Sequence, residues 1–270
     1  MVNTRSGMGV LGGPTVAAFA PRDRTRELLK RAFPRRHGQV LLCKTSAEWT
    51  KLFSKTLVDI AVVDVGSPTD DTWVAAALAR EFPSTPFFGV SGLRVADAPA
   101  IARCAWLDFV DVLADGVDDG AMRELMTPHG FTSRFSAALA PAAESLGLAL
   151  PVQRRAWTWI VGRAGRPVRT DLLAKELGVT REHLSRSFAT AGAPNLKRII
   201  DLVRVIASAE LSKCPGYDAA DVARVLDFAS PSHLATTAQR VCGTRSASLA
   251  RLRTGDIIER FLQGRGRSRR

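Results

Sequence analysis

Cysteine is scarce in this chain. There are four in 270 residues (Cys43, Cys104, Cys214 and Cys242), far apart and with no C-x-x-C pair. A disulfide framework or a zinc site built from them is excluded, and a reducing compartment fits best. Long apolar runs are missing too. None approaches the ~20 residues needed to cross a bilayer, and the first residues carry no signal-peptide h-region, so a soluble cytoplasmic protein with no membrane partner is expected. The constellations of catalysis are also absent: no paired catalytic carboxylates, no nucleophile–His arrangement, no P-loop and no metal-ligand cluster. The expectation is therefore a protein that is not an enzyme and takes no cofactor and no metal.

What the chain has in excess is positive charge, and it is unevenly placed. Net charge is +12 at pH 7. Residues 1–150 carry 16 basic and 16 acidic side chains, whereas residues 151–270 carry 22 basic and 10 acidic. A neutral half joined to a strongly basic half suits a sensing or docking unit coupled to a binder of polyanions, with double-stranded DNA as the leading partner.

In the neutral half, short apolar runs at 15–20, 39–43, 59–64, 86–90 and 108–113 alternate with amphipathic stretches at 22–33, 47–54, 70–82, 96–106 and 118–126. Near-continuous apolar strands alternating with helices predict a doubly wound, five-stranded parallel sheet of flavodoxin-like type. The segment Asp59-Ile-Ala-Val-Val-Asp64-Val-Gly-Ser-Pro68 and Ser91 after Phe87-Phe-Gly-Val90 resemble response-regulator receiver domains, over about residues 14–126. The resemblance places Asp64 at the phospho-acceptor position. It also implies an acidic pair after the first strand for Mg²⁺ and a lysine ending the fifth. Here Ala20-Pro21 and then Arg22 follow the first strand, and Val112-Leu113 occupies the lysine region. Without those groups the charge on a transferring phosphoryl group goes unneutralised. Asp64 is thus expected to be a vestigial phospho-acceptor in a degenerate receiver. The alternative is a response regulator switched by phosphorylation of Asp64.

Gly7-Met-Gly9-Val-Leu-Gly12 spells a dinucleotide fingerprint, but it precedes the first strand instead of joining a strand to a helix, so residues 1–13 are read as a flexible leader. Residues 127–150, with Pro128, Gly130, Pro141 and Gly147, read as a partly helical linker. Its Phe131, Phe135 and Leu139 form an apolar stripe that can pack on the first domain or form a dimer seam.

The basic half opens with a helix whose expected apolar face is Val152, Ala156, Trp159 and Ile160. Leu173, Ala174 and Leu177 then mark a short helix, Gly178 a turn, Thr180 a cap, and Leu184 and Phe188 the buried side of a second helix. A similar unit runs from Asp218 to Gly243, with Val222, Ala223 and Leu226, a cap at Ser230 and an anchor at Leu234. Between them Leu196, Ile199, Ile200, Val203, Ile206 and Ala207 make one long helix. This order resembles the DNA-binding domain of AraC/XylS-family bacterial transcription regulators, over residues 151–253. Asp227, Leu234 and Ala238 depart from that family's usual Gly and Phe residues. The resemblance implies two helix-turn-helix units in consecutive major grooves, and names as DNA-binding Arg181, Glu182, Ser185 and Arg186 on the first reading helix. On the second they are Ser232, His233, Thr236, Gln239 and Arg240. Arg169, Arg198, Arg204 and Arg245 are expected to hold phosphates. RNA polymerase and a second copy of the chain, met through the N-terminal domain or the linker helix, are further candidate partners. Residues 254–270, rich in Gly and Arg toward the end, read as a basic tail adding backbone affinity.

Overall fold

In the computed structural model of the chain, residues 13–189 and 192–267 are described. The G-x-G-x-x-G stretch at 7–12, residues 190–191 and residues 268–270 lie outside them, as do the side chains of Arg265 and Arg267.

Five strands, β1 (Thr15–Phe19), β2 (Gln39–Cys43), β3 (Ile60–Asp64), β4 (Phe87–Ser91) and β5 (Asp111–Ala114), form one parallel sheet in the order β2-β1-β3-β4-β5. That is the flavodoxin-like order. Period-2 alternation sends Ala17, Phe19, Ala61, Val63 and Phe87 to one face and Val16, Ala18, Ile60, Val62, Phe88 and Val90 to the other. The first face is covered by α2 (Ser46–Phe53), α3 (Asp70–Glu81) and α4 (Ala98–Trp106), the second by α1 (Asp23–Ala32) and α5 (Asp119–Met126). Because both faces are covered, the central strands have no polar side, which is why they read as unbroken apolar runs. The fifth strand begins at Asp111 rather than at 108. Asp108 sits in the left-handed region (φ 61°) as α4 ends, so pairing with β4 starts only afterwards.

An all-α region follows: α6 (Phe131–Leu139), α7 (Ala142–Ser145), α8 (Pro151–Val161), α9 (Thr170–Leu177), α10 (Arg181–Ala189), α11 (Leu196–Leu211), α12 (Ala219–Val225), α13 (Pro231–Cys242) and α14 (Thr254–Arg267). One open alternative is decided here and two expectations change. The stretch read as a linker is packed. Phe131, Phe135 and Leu139 are buried within the chain, Trp157 Nε1 donates to the Leu139 carbonyl at 3.1 Å, and Ser136 Oγ donates to that of Val161 at 3.2 Å. This stripe is therefore not free to be a dimer seam. The buried face of α8 is Ala156, Trp157, Ile160 and Val161, with Trp159 only partly covered. Finally, the predicted tail is helical from Thr254. Ile257 and Phe261, one turn apart, are fully buried against α11 and α13, so apolar spacing outweighs the local Gly and Arg content.

The two parts share a seam. The Arg166 guanidinium reaches buried Asp59 (3.1 Å) and the Leu57 carbonyl (3.2 Å). Tyr217, the sole tyrosine of the sequence, meets Phe82 edge-on at 4.8 Å. Gly216 N–H donates to the Glu81 carbonyl, and a Cβ on Gly216 would lie 2.5 Å from the Phe82 ring, so the close approach needs glycine.

Candidate functional site

Asp64 ends β3 at the C-terminal edge of the sheet, where open α/β sheets hold their ligands. Its side chain is 0% exposed, and its charge is met from inside the protein. Arg22, just after β1, grips both carboxylate oxygens, with Nε at 2.8 and 2.9 Å and Nη2 at 2.5 Å, while Gly66 N–H donates to Oδ1 at 3.2 Å. The Asp64 hydrogen bonds hold the Arg22 guanidinium above its ordinary pKa, against the pull of burial. Arg22 Nη1 also reaches Asp115 beyond β5 (3.2 Å), and Arg24 pairs with the other Asp115 oxygen. A Cβ on Gly66 would fall 2.3 Å from Arg22 Nη2, so the glycine makes room for the guanidinium. Ser91 is engaged as well: its Oγ donates to Asp97 and accepts from Leu93 N–H. A resident guanidinium thus occupies both oxygens of the carboxylate that the resemblance places at the phospho-acceptor position, and the neighbouring hydroxyl faces its own loop. Arg22 was legible as the replacement of the acidic pair. Its pairing with Asp64, 42 residues away, was not.

The second candidate surface lies on α10 and α13. Thr180 Oγ1 accepts from His183 N–H (3.1 Å) and caps α10, and Ser230 Oγ does the same for His233 N–H at the start of α13. Leu184 and Phe188 bury one side of α10, which leaves Arg181, Glu182, Ser185 and Arg186 exposed together with His183, which the residue pattern had not singled out. Leu234, Ala238 and Val241 bury one side of α13 and leave Ser232, His233, Thr236, Gln239 and Arg240 exposed. On this second helix two polar groups already have partners. Thr236 Oγ1 donates to the Ser232 carbonyl, and Arg240 pairs with Asp201 of α11 at 2.7 Å. His233 packs edge-on against Phe228 at 5.6 Å.

The four arginines expected on phosphates separate into different roles. Arg245 is exposed. Arg169 is exposed but forks onto Asp171, whose carboxyl it holds below the usual range. Arg198 lies over the Phe261 ring at 4.8 Å. Arg204 departs from expectation. Its guanidinium stacks 3.8 Å over Phe228 and donates to the carbonyls of Leu226 and Asp227, and burial lowers its pKa. It is a strut between α11 and the turn after α12, because those two carbonyls end a helix and need donors.

No family model and no curated protein matches the chain. Several solved structures are similar to it. A response regulator from Thermotoga maritima is 20% identical over 42% of this chain and 93% of its own, with a TM-score of 0.37. Full-length FixJ from B. japonicum is 14% identical over 74% and 98%, with a TM-score of 0.39. The response regulator StyR is 14% identical over 71% and 98%, with a TM-score of 0.35. The fold assignment rests on strand order and register: a flavodoxin-like, receiver-like parallel sheet followed by an all-α region.

Proposed function

We propose that this chain is a sequence-specific, DNA-binding transcription regulator without enzymatic activity. It acts through two helix-turn-helix units of AraC type, with α10 and α13 as the reading helices. The observation that carries the reading is the matched build of those helices. Each starts at a hydroxyl cap, buries one apolar side and presents a polar side free of apolar bulk, in the half of the chain that holds the whole charge excess. On α10, arginine suits the O6 and N7 of guanine and glutamate the N4 of cytosine, so α10 is the main reader. With Arg240 tied to Asp201, α13 contributes less discrimination. The receiver-like domain serves as a docking or input unit and not as a phosphorylation switch, because Arg22 holds both Asp64 oxygens. RNA polymerase and a second copy of the chain remain candidate partners of such a regulator.

The test is a binding titration against a site drawn from a genome-wide occupancy map and against scrambled duplex. Arg186→Ala should cost about 1–3 kcal/mol at the specific site and relax preference at one base position, with little change on scrambled DNA. An equal loss on both duplexes would make Arg186 a phosphate contact and remove α10 as the reader.

A further inference from the structure

The edge of the sheet opposite Asp64 is also concave. A cleft of about 940 Å³ opens there, beside Pro14, Thr15 and Gln39 where β1 and β2 begin. Its volume lies within the range of roughly 300–1,000 Å³ typical of small-molecule sites. Both parts of the chain build it. Arg35, Arg36 and His37 come from the turn between α1 and β2, Arg123 from α5, and Arg163 and Arg166 from the segment that follows α8. Against five arginines stand two carboxylates, Asp59 and Glu124.

Asp59 has no capacity to spare. It accepts from Thr15 N–H (2.8 Å), Thr132 N–H (3.0 Å), the Thr132 hydroxyl and Arg166 (3.1 Å). Arg163 Nε and Thr127 Oγ1, both on lining residues, are buried without a hydrogen-bond partner. The Arg163 guanidinium has the Trp159 ring 5.5 Å away, and burial together with the neighbouring Arg166 pulls its pKa down. Buried polar groups are nearly always satisfied, because leaving one unmet is costly. Crowded guanidinium groups beside two unmet polar atoms are surroundings that suit an anion. Planar guanidinium forks suit phosphate oxygens. Arg166 is held by Asp59 and the Leu57 carbonyl, and Arg123 donates to the Ala32 carbonyl at 2.9 Å, so Arg35, Arg36 and Arg163 are the forks left, enough for more than one phosphate.

We propose that this cleft binds a phosphorylated small molecule of nucleotide size, carrying two or more phosphate groups that Arg163 and the Arg35–Arg36 turn clasp. Because the walls come from the sheet and from the helical region, the bound molecule ties the two parts together. The inference is independent of the DNA reading. It is tested by calorimetric titration of the full chain, without Mg²⁺, with inorganic tripolyphosphate and separately with GTP. Saturable one-site binding is expected for at least one probe, and equal affinity for both would mean that only the phosphates are held. Arg163→Gln, and independently the double change Arg35→Gln and Arg36→Gln on the surface turn, should each weaken binding about tenfold or more. Arg181→Ala with Arg186→Ala on α10 should leave it unchanged. The surface pair keeps the test decisive if Arg163→Gln fails to fold. No saturable binding of either probe in the millimolar range would overturn the proposal. So would binding lost through the α10 changes and kept in both cleft variants, which would assign the anion to the helical face.

Discussion

Arg22 shows how one side chain can satisfy a carboxylate buried at the C-terminal edge of a sheet. A carboxylate with 0% exposure needs compensation, and a guanidinium three residues beyond β1 supplies it with fixed forks where a dication would need further carboxylates. Removing one partner of a buried pair costs about 3–5 kcal/mol, and Arg22 is a quarter exposed, so Arg22→Ala should cost about 2–3 kcal/mol. Arg24→Ala, on an exposed side chain that shares Asp115, should stay within about 0.5 kcal/mol. Urea melts of the two variants check the contrast, and similar midpoints would mean that the pair contributes little. Arg204 and Arg245 form a second contrast between side chains that read alike in the sequence. Arg204→Ala removes a cation–π contact and two hydrogen bonds to carbonyls, and should lower stability by about 1–3 kcal/mol. Arg245→Ala should leave the melting temperature in place. Thermal unfolding followed by circular dichroism separates them.

At the scale of elements, the two helix pairs of the basic half differ at one turn position. The first pair turns at Gly178 (φ 68°), where an added Cβ meets nothing within 4 Å. Any cost of Gly178→Ala is therefore conformational, about 1–2 kcal/mol for a left-handed residue with a side chain. The second pair turns at Asp227 (φ 53°), which bears that strain already, so Asp227→Gly should stabilise the chain by a few tenths to about 1 kcal/mol. The Arg204 contact survives the change because it is made to the Asp227 backbone carbonyl. Chemical denaturation of both variants gives the two signs, and a destabilised Asp227→Gly would show that the aspartate side chain, not its backbone angle, matters there. Much of this level was readable beforehand. Thr180 and Ser230 caps, the Gly178 turn and the apolar spacing of α11 act within a few residues of one another.

For the whole molecule, the seam between the sheet and the helical region decides what folds as a unit. A fragment starting at residue 150 would lose Phe135 and Leu139 from the core around Trp157, whereas one starting at residue 130 keeps them. With about 1.5–3 kcal/mol for each large apolar side chain buried, the shorter fragment should be less stable by about 3 kcal/mol or more. Melting curves of the two fragments test this, and equal stabilities would return residues 127–150 to the role of a mere connector. If the charge excess of the second half meets DNA phosphates, the longer fragment should also show affinity falling steeply with salt.

Composition and local spacing were enough for most of the strand and helix plan and for the asymmetry of charge. Each of these depends on composition or on spacings shorter than a helix turn or a strand. The sequence by itself did not determine which distant groups would meet. Arg22 on Asp64, Arg166 on Asp59 across 107 positions, Arg204 turned inward onto Phe228 and the α6 stripe packed beside Trp157 were decided only in the tertiary structure. The physical reason is common to them. An arginine's stem reaches either solvent or a buried acceptor, and an apolar stripe covers whatever surface is nearest. Which partner is within reach is a property of how the sheet and the helices pack, not of the residues beside it in the chain.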